Sequence, residues 1–584
     1  MAKQKEEGGI TLEEQQEANV LATVKSRTLI ANNYQQTIHS NMSEYYQYYR
    51  GSEAVEDNAV WRAKIHVPYI QQTVDTILPR LVSSKPKINV LPREESDVDS
   101  AQMNEKLVSY QWEKMRMYKT IKMWVKQGLI YGTGIVKLGW DFDRENEKDG
   151  PWVNVVSNYD VFIDPNAASI DDAAFIIYKQ ERDLAEVKKN KNYKNLDELE
   201  RVVGKDNDTS DKVSERSSLG RSEPGSDERK KVVIFEYYGK MAMEDDEIEK
   251  DYFIVTANNE IILRIEELKE VYPCGKPFVA FRDNDMPLDF WAIGEVEPLI
   301  PLQDELNTMR NQRLDNRKLI MNHMWLVNKN GGINWDDFVS KPGGVIECND
   351  TSAVVPLPVN DTTQNSVQEE AIIKQDMDRT SGVFQGMTGQ LATPVGADSG
   401  SFNKTARGFL ASIEQAGTRM QYKLDNLDDG IRELGQKLLK LNQKYISKDQ
   451  VVRILGRSGV AFETVKVDDI RKEYDLRVEG GATQPQNQEA RKNDFFNLMN
   501  VLLPMSQMPM VDYEPGQQPT PAQMNVKYFV DNLLDTFDLP NKEEAFISQK
   551  DLGLPQVSPD VLGTSIGQQN EQQQGVGAGP TFQG

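Results

Sequence analysis

Cysteine, histidine, net positive charge and long apolar runs are all scarce in these 584 residues, and each scarcity removes a class of function. Two cysteines, Cys274 and Cys348, stand far apart and build neither a disulfide framework nor a four-ligand zinc site. The three histidines, His39, His66 and His323, are scattered, and none stands in an HExxH or H-x-E pattern. No apolar run approaches the roughly 20 residues that cross a bilayer, so no membrane partner is expected. The opening MAKQKEEGGITLEEQQEANV has no apolar signal core, and synthesis and retention in the cytoplasm are expected from it.

Nucleotide and hydrolase motifs are missing as well. Gly275-Lys276 runs into Pro277 and lacks the upstream glycine of a phosphate loop. Gly132-Thr133-Gly134 has no third glycine where a dinucleotide fingerprint needs one. In Gly456-Arg457-Ser458-Gly459 the second glycine follows the serine at once, which is not a nucleophile elbow. Acid pairs such as Asp141 and Asp143 are ordinarily solvated. No catalytic centre, cofactor or metal is expected.

Charge narrows the field further. The formal net charge is -23, the pI is near 4.8, 38% of residues are hydrophobic and mean hydropathy is -0.60. A protein that grips nucleic acid carries a basic stripe, because neutralising phosphates and releasing counterions supply its affinity. This chain either never meets nucleic acid or lets it pass without holding it.

Residues 10 to 50 read as helical and end on Tyr45, Tyr46, Tyr48 and Tyr49 before Gly51. With few cations beside it, that cluster is expected to pack rather than to stack on bases. The pattern predicts a helix over Tyr69–Leu81, an extended stretch over Lys87–Leu91 and a single helix over Ser100–Gly128. Tyr131–Asp141 and Val153–Val156 read as strands, and Val161–Ala167 as a turn set by Pro165. Arg201–Lys230 is polar enough for a surface loop or disordered insertion. KVVIFEYYGKM and KDYFIVTANNEIILRIEE form hairpin strands with a turn at Asn258 and Asn259, and Glu244, Asp245, Asp246 and Glu247 read as a solvated tip.

Gly294–Met324 is a helix with charges on every side and no clean apolar stripe, a pattern that is unstable alone or packs in a multi-subunit barrel. A β-rich module from Trp325 to Asn360 and a helix over Val367–Ser381 follow. Next comes the small-residue loop GVFQGMTGQLATPVGADSGSFNKTARG. It feeds a helix over Thr405–Ile446, about 63 Å long at about 1.5 Å per residue. Leu410, Ile413, Gly417, Met420, Leu424, Leu427, Ile431, Leu434, Leu438, Leu441 and Tyr445 make an apolar seam on it, which fits a coiled coil or the central helix of a bundle. Gly408, Gly417, Gly430 and Gly435 each cost about 1 kcal/mol against alanine and point to close packing. Phe462–Gly481 is strand-like, Gln488–Leu503 and Met524–Phe537 are helical, and the Gln- and Gly-rich end after Pro555 reads as a disordered tail.

Several of these segments, taken in order and spacing, resemble the portal proteins of tailed bacteriophages, notably the short-tailed branch. They are Trp61 and Arg62 ahead of Pro68, Leu78-Pro79-Arg80-Leu81, Lys85-Pro86, and Trp112 followed by Leu129-Ile130-Tyr131-Gly132-Thr133-Gly134-Ile135-Val136-Lys137-Leu138-Gly139-Trp140. Val161-Phe162-Ile163-Asp164-Pro165, Gln303-Asp304-Glu305-Leu306-Asn307 and Thr405-Ala406-Arg407-Gly408 complete the set, so the resemblance runs from Trp61 to Gly481.

The resemblance implies an α+β fold, mostly α, and a homo-oligomeric ring, usually of twelve copies, at one capsid vertex. It implies an N-terminal arm over 1–60, a wing over 61–293 and 447–482, stem helices over 294–324 and 365–383, and a clip over 325–364. A tunnel loop over 384–404, a spine helix over 405–446, a crown over 483–552 and a tail over 553–584 complete the expected order. Double-stranded DNA, passing without tight binding, the terminase large subunit, a tail adaptor, and capsid and scaffold proteins are the implied partners. Phe384, Gln385, Gln390, Lys404 and Arg407 are the expected channel residues, and Asn334, Trp335, Asp336, Asp337 and Lys341 the expected docking residues of the clip. An acidic chain suits a conduit, since phosphate contacts repeated around a ring would act as a brake. A collar or minor capsid component, a coiled-coil scaffold, and a nuclease or ATPase subunit of the packaging machine are the competing readings.

Overall fold

The computed structural model describes residues 12–52, 61–82, 87–92, 98–142, 150–201, 231–243, 249–322, 363–383 and 406–446, with shorter stretches between 324 and 359 and between 450 and 522. In chain order the helices are α1 (Leu12–Arg50), α2 (Tyr69–Leu81), α3 (Val98–Lys114), α4 (Met117–Tyr131), α5 (Leu184–Lys189), α6 (Leu268–Val271), α7 (Ile300–Met321), α8 (Thr363–Ser381) and α9 (Ala406–Tyr445). The strands are β1 (Lys87–Pro92), β2 (Thr133–Asp141), β3 (Gly150–Val156), β4 (Val161–Ile163), β5 (Phe175–Asp183), β6 (Lys231–Met241), β7 (Lys250–Ala257), β8 (Ile261–Glu267) and β9 (Phe278–Arg282). Further on lie β10 (Trp325–Val327), β11 (Val354–Pro356), β12 (Gln450–Gly456), β13 (Gly459–Val465), β14 (Tyr474–Glu479), β15 (Met510–Asp512) and β16 (Thr520–Ala522). The fold is mixed α+β.

Contacts divide the chain into two compact units, 1–452 with 464–485, and 453–463 with 486–584. Everything that follows concerns the first. Its larger sheet is antiparallel in the order β4-β5-β6-β7-β8, and a smaller one runs β3-β2-β9. Runs such as Val232 to Phe235 and Phe253 to Val255 are buried on both faces, so the strands read as continuous apolar stretches instead of alternating ones. The β7–β8 hairpin turns at Asn258 and Asn259, both with positive φ, as a type I′ turn requires. Strand β1 pairs antiparallel with β14, from Lys87 opposite Glu479 to Pro92 opposite Tyr474, and α3 packs on β1.

Helix α9 lies across the small sheet. Met420, Leu424, Leu427, Ile431, Leu434, Leu438 and Leu441 are buried in one cluster with Trp124, Val279 and Phe281. The apolar seam is therefore spent inside this chain, with each side chain stabilising the unit by about 1.5–3 kcal/mol, and it is not left over for a coiled-coil partner. Gly430 allows the approach: a Cβ there would stand 2.9 Å from Trp124 Cη2. The tyrosine cluster at the end of α1 packs too, with Tyr45 and Tyr49 buried.

Some expectations need correction. Ser100–Gly128 is two helices, α3 and α4, broken where Arg116 takes a left-handed backbone with φ 54. Val161–Ala167 begins as strand β4 before it turns. The helix expected from Gly294 begins only at Ile300, after one 3-10 turn over Glu297–Leu299. The short pair β15–β16 lies between the two helices expected after Gly481. The 202–230 insertion, the acidic run 244–247, those two late helices and the tail lie outside the described residues.

Candidate functional site

The loop singled out by the sequence begins after α8 and ends at α9. Its residues Phe384, Gln385, Gln390 and Lys404 lie outside the described residues, as do the clip residues Asn334, Trp335, Asp336, Asp337 and Lys341. Arg407 stands in the first turn of α9. What the structure describes is the root of the loop and the frame that holds it.

At the root, α8 stops at Ser381. The Ser381 hydroxyl donates to the Met377 carbonyl at 3.0 Å and accepts the Val383 N–H at 3.2 Å, while Gly382 turns the chain with φ 71. Arg419 of α9 reaches across: its Nη1 donates to the carbonyls of Arg379 at 2.9 Å and Thr380 at 3.2 Å. Those are unpaired acceptors of the last helical turn, where a cation is favoured. Both ends of the loop are thus tied to each other.

Helix α8 lies beside α7 through Glu370, which meets Arg313 at 2.5 Å, Lys374 at 2.8 Å and Arg310 at 3.2 Å. Burial works against its charge, yet Lys374, Arg313 and Arg310 hold this carboxyl below the usual carboxylate range. Tyr69, at the start of α2, donates its hydroxyl to Asp378 of α8.

The polar helix α7 has a partner that its lack of an apolar stripe concealed. Gln303, Asn307, Asn311 and Asp315 recur every four residues and face the extended segment from Trp61 to Val67. Asp315 Oδ1 accepts the Ala63 N–H at 2.6 Å, Asn311 Oδ1 the Ile65 N–H at 2.8 Å and Asn307 Oδ1 the Val67 N–H at 3.0 Å. Asn311 Nδ2 returns a bond to the Ile65 carbonyl at 3.1 Å, Gln303 Nε2 donates to the Val67 carbonyl at 2.7 Å, and Lys318 donates to the Trp61 carbonyl at 2.8 Å. Four helical residues advance about 6 Å and two extended residues about 6.6 Å, so the two periods nearly match. Gln303 also accepts the Ile70 N–H at 3.3 Å, satisfying a first-turn donor of α2, whose Pro68 N-cap supplies no side-chain bond.

The deepest polar group joins α9 to this frame. Lys423 Nζ lies 2.6 Å from Asp283 Oδ1, 2.6 Å from Glu295 Oε1 and 3.4 Å from Asn284 Oδ1, and all three charged side chains are at least 93% buried. Asp283 closes β9, and Glu295 belongs to the lead-in to α7. Burial first, then the neighbouring Glu295 charge, pushes the Asp283 carboxyl up to about 8 even against the pull of Lys423. Burial opposes the Lys423 charge, but Asp283 and Glu295 hold its pKa above the ordinary value. Two carboxylates facing one ammonium leave one charge in excess, and a proton on Asp283 removes it. Backbone bonds fix the same corner: Asp283 N–H to Gly132 O at 2.9 Å and Glu295 N–H to Leu129 O at 2.8 Å.

Below this node, α9 reads the backbone of β9. Asn426 donates to the Arg282 carbonyl at 3.0 Å, and Lys437 to the carbonyls of Phe278 at 2.6 Å and Lys276 at 3.0 Å. Sequence reasoning named none of Arg419, Lys423, Asp283, Glu295 or the α7 ladder. A signal existed: Lys423 stands three residues after Met420 and four before Leu427, inside the seam, where a charge has to find a buried partner.

Among the described residues no helix is long and apolar enough to cross a membrane, and no three or more His, Cys, Asp or Glu side chains are grouped to hold a metal ion. What the site does have is a long helix, clasped at the root of a loop and bolted by a buried ion triad to an α+β body. Comparison with protein families gives the class: a portal protein of tailed bacteriophages, a virion component of the head-to-tail connector. The matching family is described as phage SU10 portal protein and covers residues 20–151 and 142–576, so this chain belongs to that family. The short-tailed branch expected from the sequence agrees with this match.

Proposed function

We propose that copies of this chain form a ring-shaped channel at one capsid vertex, through which double-stranded DNA is packaged by the terminase motor and later ejected, and to which the tail adaptor attaches. The observation that carries the proposal is the family match over most of the chain. In this reading α7 and α8 are the stem, the β10–β11 region belongs to the clip, 384–404 is the tunnel loop, and α9 is the spine. Phe384, Gln385, Gln390, Lys404 and Arg407 then face the channel, and Asn334, Trp335, Asp336, Asp337 and Lys341 dock the motor and the adaptor.

Two features support the layout. The clasp of Arg419 and the buried Lys423 node hold the base of the loop firmly, which a loop exposed to moving DNA needs. The net charge of -23 disfavours tight phosphate binding along a conduit. Native mass spectrometry and electron microscopy of the purified full chain test the assembly. Large closed rings with a central hole are expected, and a stable dimer without one would refute it. Replacing residues 384–404 by a short linker tests the loop. Unchanged packaging and DNA retention would remove it from the channel.

A further inference from the structure

The Lys423 node sits where four pieces of backbone meet: the end of β9 at Asp283, the lead-in to α7 at Glu295, the α4–β2 corner and α9. The corner is tight. Gly132 has φ 87, and a Cβ on it would lie 1.7 Å from the Ala292 carbonyl oxygen, while one on Gly294 would lie 2.7 Å from the Gly132 nitrogen. Such a junction has no slack to absorb an added charge by moving apart. From α9 only Lys423 faces Asp283, while Tyr422 and Asn426 bond instead to Asp285, at 3.0 Å and 3.3 Å. From the α7 lead-in comes Glu295, and from the strand end itself Asn284, whose Nδ2 donates to Asp283 Oδ2 at 3.2 Å. Arg282 is occupied by Asp285 at 2.7 Å, and α4 and β2 contribute backbone carbonyls only.

We propose that Asp283, Glu295 and Lys423 form a proton-dependent latch that holds α9 and the lead-in to α7 against the end of β9, closed while Asp283 keeps its proton and loosened once it is lost. The proposal does not depend on what the 384–404 loop contacts. With the proton present the buried group is neutral overall. Without it, an unbalanced carboxylate remains where water does not reach.

The direction with pH follows from linkage. The Asp283 carboxyl holds its proton up to about 8 when the latch is closed and loses it near 3.9 when the latch is open and hydrated. Opening is therefore favoured by up to about tenfold per pH unit as pH rises toward 8, and then levels off. Asp428 on the same helix, pushed up to about 6 by burial and by Asp425, is already ionised above that point, so the window from pH 6 to 8 reports Asp283.

Hydrogen exchange of the full-length assembled protein, corrected for the intrinsic base-catalysed rate, reads the latch. Amides in 283–295 and 419–427 should lose protection by about tenfold per pH unit between pH 6 and 8 and stay level from 8 to 9. Asp283→Asn, neutral at every pH and able to keep its bond to Glu295, should hold protection flat across the window. A second variant, Glu295→Gln, leaves one carboxylate with one ammonium and should also remove the slope. A flat profile in the unmodified protein, or an undiminished slope in both variants, would overturn the proposal.

Discussion

Ile65 and Asn311 hydrogen-bond twice, the Ile65 N–H to Oδ1 at 2.8 Å and Nδ2 to the Ile65 carbonyl at 3.1 Å, so a helical side chain serves an extended segment as a neighbouring strand would. The bonded residues step by two in the segment and by four in α7. This pairing gives a polar helix a firm place within a single chain.

Position along the ladder should set the cost of breaking it. Gln303 is fully buried and bridges Val67 and Ile70, whereas the Ile65–Asn311 pair is open to water. Gln303→Leu should destabilise by about 1–3 kcal/mol, because two buried backbone groups lose their partner. Asn311→Leu should cost about 1 kcal/mol, since water replaces what is lost. Urea titration of both variants measures the order. An equal or larger loss at Asn311 would show that the ladder is not graded by burial.

Gly430 offers a test of sign. In an exposed helix Gly→Ala gains about 1 kcal/mol from helix propensity. Here the new methyl would meet Trp124 at 2.9 Å and 3.3 Å, and Trp124 is pinned in the core by its Nε1 bond to the Gly134 carbonyl at 2.9 Å. Overpacking of about 1–3 kcal/mol outweighs the propensity gain. Gly430→Ala should therefore lower Tm and change Trp fluorescence. A higher Tm would mean that the helix and Trp124 part without cost.

The seam of α9 and the glycine at 430 were legible in the sequence because burial at three- and four-residue spacing is a local property. So was the Asn258-Asn259 turn, whose backbone only a few residue types adopt readily. The break between α3 and α4 was not, because it rests on one left-handed residue, Arg116, in a stretch of good helix formers. The partner of α7 was hidden for a different reason. Its amides recur every four residues, but the backbone they bind lies some 240 residues earlier in the chain, at Ala63 to Val67. The ion triad joins positions 283, 295 and 423 and has no local signature beyond a lysine placed inside an apolar seam.

The Gly132 corner should tolerate no side chain. Its φ is 87, and an added Cβ would overlap the Ala292 carbonyl at 1.7 Å, a backbone atom that cannot swing aside. Gly132→Ala should cost more than about 3 kcal/mol and leave little soluble protein, since strain and overlap add. Gly275→Ala is the control, with φ 80 but open space around it, and should cost only about 1–2 kcal/mol. Equal soluble yields and Tm values for the two variants would contradict the close approach.

Lys423→Met removes the only cation bonded to Asp283 and Glu295 among the described residues while keeping most of the buried volume. At pH 7 it should destabilise by about 3–5 kcal/mol, the usual result of orphaning a buried charge. The pH dependence distinguishes this from lost packing. In the unmodified protein Asp283 already holds a proton at pH 7, and Glu295 stays ionised against Lys423. In the variant Glu295 must also take one up on folding. Both folded-state carboxyls are then raised, and their contribution to stability falls as pH rises. The variant's folded state binds one more proton than the parent's, so the gap between them should narrow by up to about 1.4 kcal/mol per unit as pH falls from 7 to 5. Urea titrations at pH 5, 6 and 7 measure it. A gap that stays constant would make Lys423 a packing residue, and one that widens in acid would remove the excess carboxylate from the account.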